Sequence, residues 1–391
     1  MMMQVPEGWK IATLNNLVDI VMGFAFKSTD FTQDGIPLLR MGNLYQNTLD
    51  FDRSPVFLPE SYREEYNKFL VKPGDLVMSM TGTMGKRDYG FTVKIPINAP
   101  DSLLNQRVVK LIPKKSAHSE YLLNLLRSEL ILSRLYSFPG GTKQANLSAK
   151  QLQNLPTIIP PLSEQQKIAQ ILSTWDQAIT ATEQLLTNSQ QQKKALMQQL
   201  LTGKKRLLDD KRQRFSKEWS LQRLGELAKI YQPKTISQSV LTETGYPVYG
   251  ANGIIGLYSE YNHATEQIAV TCRGSTCGVV NLTQPKSWIT GNAMVVNVDE
   301  NNNLNKKFLF YMLCYSDLNY LITGSGQPQL TGNIKIHLVS MPGVEEQEKI
   351  ATVLTAADKE ITTLEQKLEH LKQEKKSLMQ QLLTGKRRVQ A

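Results

Sequence analysis

The stretch "LMQQLLTGKKRL" spans Leu196 to Leu207, and "LMQQLLTGKRRV" spans Leu378 to Val389. One twelve-residue phrase therefore closes two separate polar-and-leucine segments, each followed by a basic run. Aligned outward without a gap, residues 160–206 and 342–388 are identical at 26 of 47 positions, which marks an internal duplication. A weaker echo pairs "EGWKIATLNNLVDI" (7–20) with "KEWSLQRLGELAKI" (217–230), matching Trp9 with Trp219, Leu14 with Leu224, Leu17 with Leu227 and Ile20 with Ile230. Between these ends, "GFAFKSTDFTQDGIPLLRMGNL" and "PVYGANGIIGLYSEY" share almost nothing. A frame has been duplicated while its contents diverged.

The duplicated part reads as a long helix. Ile168, Leu172, Trp175, Ile179, Thr182, Leu186, Ser189, Lys193, Leu196 and Leu200 follow one another at alternating steps of four and three, the spacing of a coiled-coil seam. The second copy repeats the pattern with Ile350, Leu354, Ala357, Ile361, Leu364, Leu368, Leu371, Lys375, Leu378 and Leu382. Prolines (Pro161, Pro342) precede the helices and glycines (Gly203, Gly385) end them, the usual punctuation. Some 40 residues at 1.5 Å each predict a rod of roughly 60 Å. The first helix leaves one variable region and enters the other, and the second leads away again, so the seams are expected to bury each other antiparallel. A symmetric seam would set Lys375 opposite Trp175 and Lys193 opposite Ala357. The expected fold class is α+β: two mixed α/β domains separated by a long antiparallel two-helix coiled coil with internal pseudo-two-fold symmetry, a symmetry it shares with a DNA duplex backbone. The expected boundaries are a first domain at 1–160, a first helix at 161–204, a basic linker at 205–218, a second domain at 219–342, and a second helix with a basic tail at 343–391.

Composition narrows the class. The chain has 391 residues with 41% hydrophobic content, ample for two cores. Neither an apolar leader after "MMMQVPEGWK" nor a membrane-length apolar run occurs, so a cytoplasmic protein is expected. Cys272, Cys277 and Cys314, with His263 nearby, fit neither a disulfide framework nor paired zinc ligands and are expected to be free thiols. The net charge of +10 suits a polyanionic partner.

Within the variable regions, "DLVMSM", "RVVKLI", "QIAVTC" and "AMVVNV" read as short strands between Gly, Pro and Asn turns, and "SEYLLNLLRSELI" and "KKFLFYMLCYSDL" as helices. Their polar loops are where binding residues are expected. In the first region the candidates are Arg40 and Asn43; Thr81, Thr83, Lys86 and Arg87; Asn105, Gln106 and Arg107; and Lys143, Gln144 and Asn146. In the second they are Tyr249 and Asn252; Arg273, Ser275 and Thr276; Asn292; and Gln327 and Gln329. Arg, Lys, Asn and Gln side chains match guanine and adenine edges, and Gly-rich loops let amides approach phosphates. The basic run Lys204, Lys205, Arg206, Lys211, Arg212, Arg214 and Lys217, echoed by Lys386, Arg387 and Arg388, suits either helix C-termini or phosphates.

The phrase "LLTGK(K/R)R" ends a helix that opens with "E(Q)QKIA". Duplicated around two unlike domains, with "VYGANGIIG" and "TGNAMVV" in the second and "LLNQRVV" loosely in its place in the first, it resembles the specificity subunits of type I restriction-modification systems. The resemblance covers essentially the whole chain. It implies two target-recognition domains, each reading half of a bipartite, asymmetric double-stranded DNA site, and two helices that recruit two methyltransferase subunits. A restriction subunit joins the same complex. S-adenosylmethionine, ATP and Mg2+ are then expected on the partners, with no cofactor or metal on this chain. Outward helix residues expected to face the partners are Gln165, Lys167, Gln184 and Gln198, with Gln347, Lys349, Gln366 and Gln380 in the second copy.

Intrinsic catalysis finds no support in the motifs. The only Pro-Pro, Pro160-Pro161, lies between Ile159 and Leu162 and lacks the acidic or amide residue an amino-methyltransferase needs before it. "TGTMGKR" has the wrong spacing for a phosphate-binding loop. Pro100-Asp101 lacks a nearby D/E-x-K, and Glu365 with Lys367 sits mid-helix, so no nuclease carboxylate cluster is assembled. The chain is expected to be a non-catalytic reader and scaffold.

Overall fold

A computed structural model describes all residues except 1–4, 84, 139–143, 252, 325 and 391. The chain divides into two compact units, residues 1–182 with 367–391 and residues 183–366. Each takes half of each long helix, Leu162–Leu200 and Val344–Leu383.

In the first unit a four-stranded antiparallel sheet has the order Val18–Met22, Val108–Pro113, Leu76–Ser79, Thr92–Lys94. A second layer sets Ile36–Leu39 antiparallel to Phe57–Leu58 and parallel to Ser102–Leu104. The predicted helix "SEYLLNLLRSELI" forms as two segments, Ser119–Arg127 and Glu129–Leu135, broken at Ser128, whose extended backbone ends the first and caps the second. A two-stranded ribbon, Lys10–Thr13 with Pro156–Ile159, ties the two ends of the domain together.

The second unit repeats this plan. Its main sheet runs Lys229–Tyr231, Ala293–Asn297, Ile268–Thr271, Val280–Leu282. Tyr246–Gly250 lies antiparallel to Gly253–Tyr258 and parallel to Trp288–Ile289. Lys306–Tyr315 supplies the helix, and the closing ribbon is Ser220–Arg223 with Leu338–Met341. The weak echo in sequence is a true structural match: Ile20 pairs with Leu111 and Ile230 with Val296 at corresponding rungs of the two ladders.

The predicted seam is confirmed position by position, every residue of both series being buried or half-buried. Leu172 and Leu354 are fully buried, a contribution of about 1.5–3 kcal/mol each. Each core is continuous with the helix ends it holds. Ile168, Leu172, Leu382 and Leu383 join Trp9, Leu14 and Leu122 in the first unit, and Leu200, Leu201, Ile350 and Leu354 join Leu224 and Phe308 in the second. Gly203 (φ 70°) and Gly385 (φ 69°) end the helices in the left-handed conformation that a side chain disfavours.

Antiparallel pairing is seen within each unit, but the lysine partners differ from the expectation. Lys375 Nζ reaches Asp176 at 2.5 Å rather than resting on Trp175, and Lys193 pairs with Asp358 rather than Ala357. Lys193 also lies 5.7 Å from the Tyr311 ring centroid. A half-buried ammonium gains more from a carboxylate one residue away than from a ring or a methyl group.

Candidate nucleic-acid interface

At one end of each main sheet, backbone hydrogen bonds gather chain segments that are distant in sequence. In the first unit the Asn105 amide donates to Leu39 O (3.0 Å), the Met80 amide to Arg107 O (2.9 Å) and the Leu147 amide to Met80 O (2.9 Å). The Gln106 amide donates to Phe24 O (2.9 Å), and Gly23 packs so tightly here that an added Cβ would stand 2.0 Å from Asn105 O. In the second unit the matching bonds run from Thr290 to Tyr249 O (2.9 Å), Cys272 to Asn292 O (3.0 Å) and Leu330 to Cys272 O (3.0 Å). Arg107 thus stands where Asn292 stands, Met80 where Cys272 does, and Thr81 where Arg273 does. The "LLNQRVV" and "ITGNAMVV" loops are the same element with different side chains.

These frames sort the candidate residues. Arg40, Thr83, Lys86, Gln106, Arg107 and Asn146 are exposed at the first cluster, and Arg273, Ser275, Gln327 and Gln329 at the second. Asn105 and Asn292 are half-buried between them. Arg107 and Arg273 have no ion-pair partner among the described residues. Arg87 is exposed but paired with Glu129 (3.0 and 3.1 Å) and set over the Tyr136 ring. Burial alone would raise the Asp88 carboxyl at the Thr83 turn, but the Thr83 hydroxyl and amide it accepts from hold it below its ordinary value.

Several candidates prove to be internal supports. Asn43 is buried: its oxygen accepts from the Arg40 amide (2.9 Å) and its NH2 donates to Asp50 O and Arg53 O, leaving nothing for a base. Thr81 is buried with its hydroxyl on the Met41 sulfur (3.0 Å). Tyr249 is buried with its hydroxyl accepting from the Gln284 amide, and the Thr276 hydroxyl donates to Ala251 O (2.8 Å). Short polar residues beside glycine in a loop signal turn chemistry as often as binding. Lys143 and Asn252 lie outside the described residues; Gln144 pairs through its backbone with Thr83.

The partner-facing set divides in the same way. Lys167, Gln184, Gln198, Gln366 and Gln380 are exposed on the long helices. Gln165 and Gln347 are not outward residues: they are 1% and 2% exposed. Gln165 accepts from the His118 amide and donates to Ser116 O and Pro160 O. Gln347 does the same with the Asn305 amide, Asn303 O and Pro342 O. Both hook the start of a long helix onto its domain. Lys349 is half-buried and paired with Asp210 (2.5 Å).

The basic runs contain a second repeated device. Arg206 grips the buried Glu346 with two hydrogen bonds of 2.7 Å, and Trp219 Nε1 donates to the same carboxylate at 3.2 Å. Arg388 and Trp9 do likewise on Glu164, with Arg388 donating at 3.1 and 2.7 Å and Trp9 at 3.1 Å. These two arginines are fastenings, while Lys204, Lys205, Lys211, Arg212, Arg214, Lys217, Lys386 and Arg387 remain exposed. The tryptophan echo in the sequence was the available signal for this lock. Among the described residues all three cysteines are free, no cluster of three or more potential ligands could hold a metal, and no helix is long and apolar enough to cross a membrane. His263 is engaged with the Tyr231 hydroxyl (2.8 Å) and Asn262 (2.6 Å).

The family model described as the type I restriction modification DNA specificity domain matches residues 6–188 and 216–373, one match for each half of the duplication. The chain belongs to this family, the specificity subunits of type I restriction-modification systems. It is 31% identical over 179 residues to the MjaVIII specificity subunit of Methanocaldococcus jannaschii, covering 45% of this chain and 41% of that one. With the putative MjaX specificity subunit of the same organism it shares 24% over 410 residues, covering 99% and 95%. The fold matches the crystal structure of the S subunit from M. genitalium with a TM-score of 0.66 at 16% identity, over 97% and 96% of the two chains. A chain from a structural study of type I R-M complex assembly and conformational transition matches at 0.58 and 15%, over 97% and 98%.

Proposed function

We propose that this chain is the sequence-reading and assembling subunit of a type I restriction-modification complex, each unit reading one half of a bipartite, asymmetric site in double-stranded DNA. One observation carries the reading: two matching backbone frames hold different side chains at the same positions, the exposed Arg107 against the half-buried Asn292 and the buried Thr81 against the exposed Arg273. Backbone frames that agree suit a shared docking geometry, and side chains that differ suit different base edges. The net charge of +10 and the exposed lysines after each long helix add sequence-independent attraction to phosphates.

The chain itself performs no chemistry in this account. Two methyltransferase subunits engage the repeated exposed helix surfaces around Gln184 and Gln198 and around Gln366 and Gln380, and the restriction subunit joins that complex in the cytoplasm. S-adenosylmethionine, ATP and Mg2+ belong to those partners. Reconstitution tests this directly. The purified chain should transfer no methyl group to DNA, and addition of a cognate methyltransferase should give adenine methylation and a mass of two methyltransferases per chain. Methyl transfer by the chain alone, or a stable active complex with a single methyltransferase, contradicts the reading.

A further inference from the structure

Between the strands Ile36–Leu39 and Phe57–Leu58 the first unit carries a long, partly exposed loop, where the second unit joins the matching strands Tyr246–Gly250 and Gly253–Tyr258 almost directly. After the strand Ile36–Leu39 the chain makes a loop from Arg40 to Arg53. Leu44 is buried, and Leu49 and Phe51 pack against the same core. Asn43 ties the loop's start to Asp50 and Arg53. Gln46 (φ 54°) and Asn47 (φ 63°) are successive non-glycine residues in the left-handed region, a costly conformation that persists only when its surroundings enforce it. Here they do: the Asn47 side chain accepts from the Thr92 amide (2.8 Å), and Arg127 donates to Asn47 O (3.1 Å) and Thr92 O (2.8 Å).

This bracing holds Tyr45 outward, 47% exposed, with its ring edge-on to Phe91 at 5.7 Å. The Arg53 guanidinium lies 4.6 Å from the Tyr45 ring centroid, and Arg53 has no ion-pair partner among the described residues. The Phe91 amide donates to Ser79 Oγ (3.1 Å), and Ser79 pairs with Val108, next to Arg107. Tyr45 therefore packs on Phe91, whose backbone lies two strands across the sheet from Val108, at the same end as Arg107.

We propose that Arg53, oriented by Tyr45, is a further base-reading arginine of the first unit, aimed at a guanine edge in the major groove. The proposal rests on the reading of the first unit as a DNA reader. A planar guanidinium stacked on a ring has less freedom to lose on making a two-pronged contact with guanine O6 and N7. General attraction to phosphate is not what this loop supplies, since Arg40 and Arg53 are balanced by Asp50 and Asp52.

The test uses the full chain reconstituted with its methyltransferase partner and duplexes randomised in the first half-site. Arg53→Ala and Arg53→Lys should each lose about tenfold or more of the preference for guanine at one position, with the second half-site and the salt dependence unchanged. Tyr45→Phe should keep the preference, and Tyr45→Ala should weaken it. Undiminished preference in the Arg53 variants overturns the inference, as does a uniform loss with a shallower salt dependence, which marks a phosphate contact. Arg107→Ala separates the two levels. If it alters first half-site preference while the Arg53 variants do not, only this inference falls; if neither matters, the reading of the unit falls with it.

Discussion

Arg107 and Asn292 show how far individual residues can be read from a sequence. Both stood out as polar residues beside a strand, and the structure gives them one backbone position in two frames. Asn43, Thr81 and Tyr249 stood out for the same reason and are internal struts, because a polar side chain in a loop satisfies the backbone as readily as it faces a ligand. Tyr45 and Arg53 escaped notice, since nothing in "NLYQNTLDFDR" reveals that residues eight apart are stacked. Arg273→Ala should relax discrimination at one base of the second half-site by about 1–3 kcal/mol, measured by competition between duplexes. Equal weakening on every duplex would assign Arg273 to phosphate. The fastenings make a stability prediction. Glu346 is 2% exposed and the Arg206 side chain 18%, so Glu346→Gln should lower the unfolding free energy of its unit by about 3 kcal/mol in denaturant titration. Glu164→Gln should cost less, because Arg388 is 42% exposed and already well hydrated. Equal losses would contradict this account of the two locks.

At the scale of elements, periodicity was enough. The seam, the strands and the glycine stops were legible because each depends on local spacing and on the handedness of the backbone. The hooks Gln165 and Gln347 were not, since the domain groups they bond, Ser116 and His118 or Asn303 and Asn305, lie more than 40 residues away in the chain. Continuing the four-and-three steps back from Ile168 and Ile350 lands on both glutamines, so they occupy the buried seam face, where a backbone amide needs an acceptor. Lys193 and Lys375, each paired with an aspartate on the facing helix, hold the seam in one register at some cost in stability. The double variant Lys193→Met, Lys375→Met should raise the thermal midpoint while broadening the NMR signals of the helices, as competing registers become accessible. A lowered midpoint with sharp signals would show that the pairs stabilise rather than specify.

At the scale of the whole molecule, duplication with divergence is the informative feature. It was visible as 26 shared positions in the helices and almost none in the loops. The loops are the part that sequence reading left open, because what each of their side chains faces depends on geometry that no short motif encodes. Both long helices belong partly to each unit, so their length is expected to set the spacing between half-sites. Adding one heptad near Ser189 and another near Leu371 keeps the seam facing inward and adds about 10 Å. The half-site sequences should then stay the same while the spacer grows by roughly 3 bp, read from methylated adenines. An unchanged spacer would show that the helices bind partners without measuring DNA.

The central claim is that the two units read independently. Mapping methylated adenines in a host that carries the partner subunits and a hybrid chain, with residues 23–155 taken from another family member, tests it most directly. The account predicts that one half-site is replaced while the other half-site and the spacer are retained. A map in which both half-sites change together, or neither does, contradicts it.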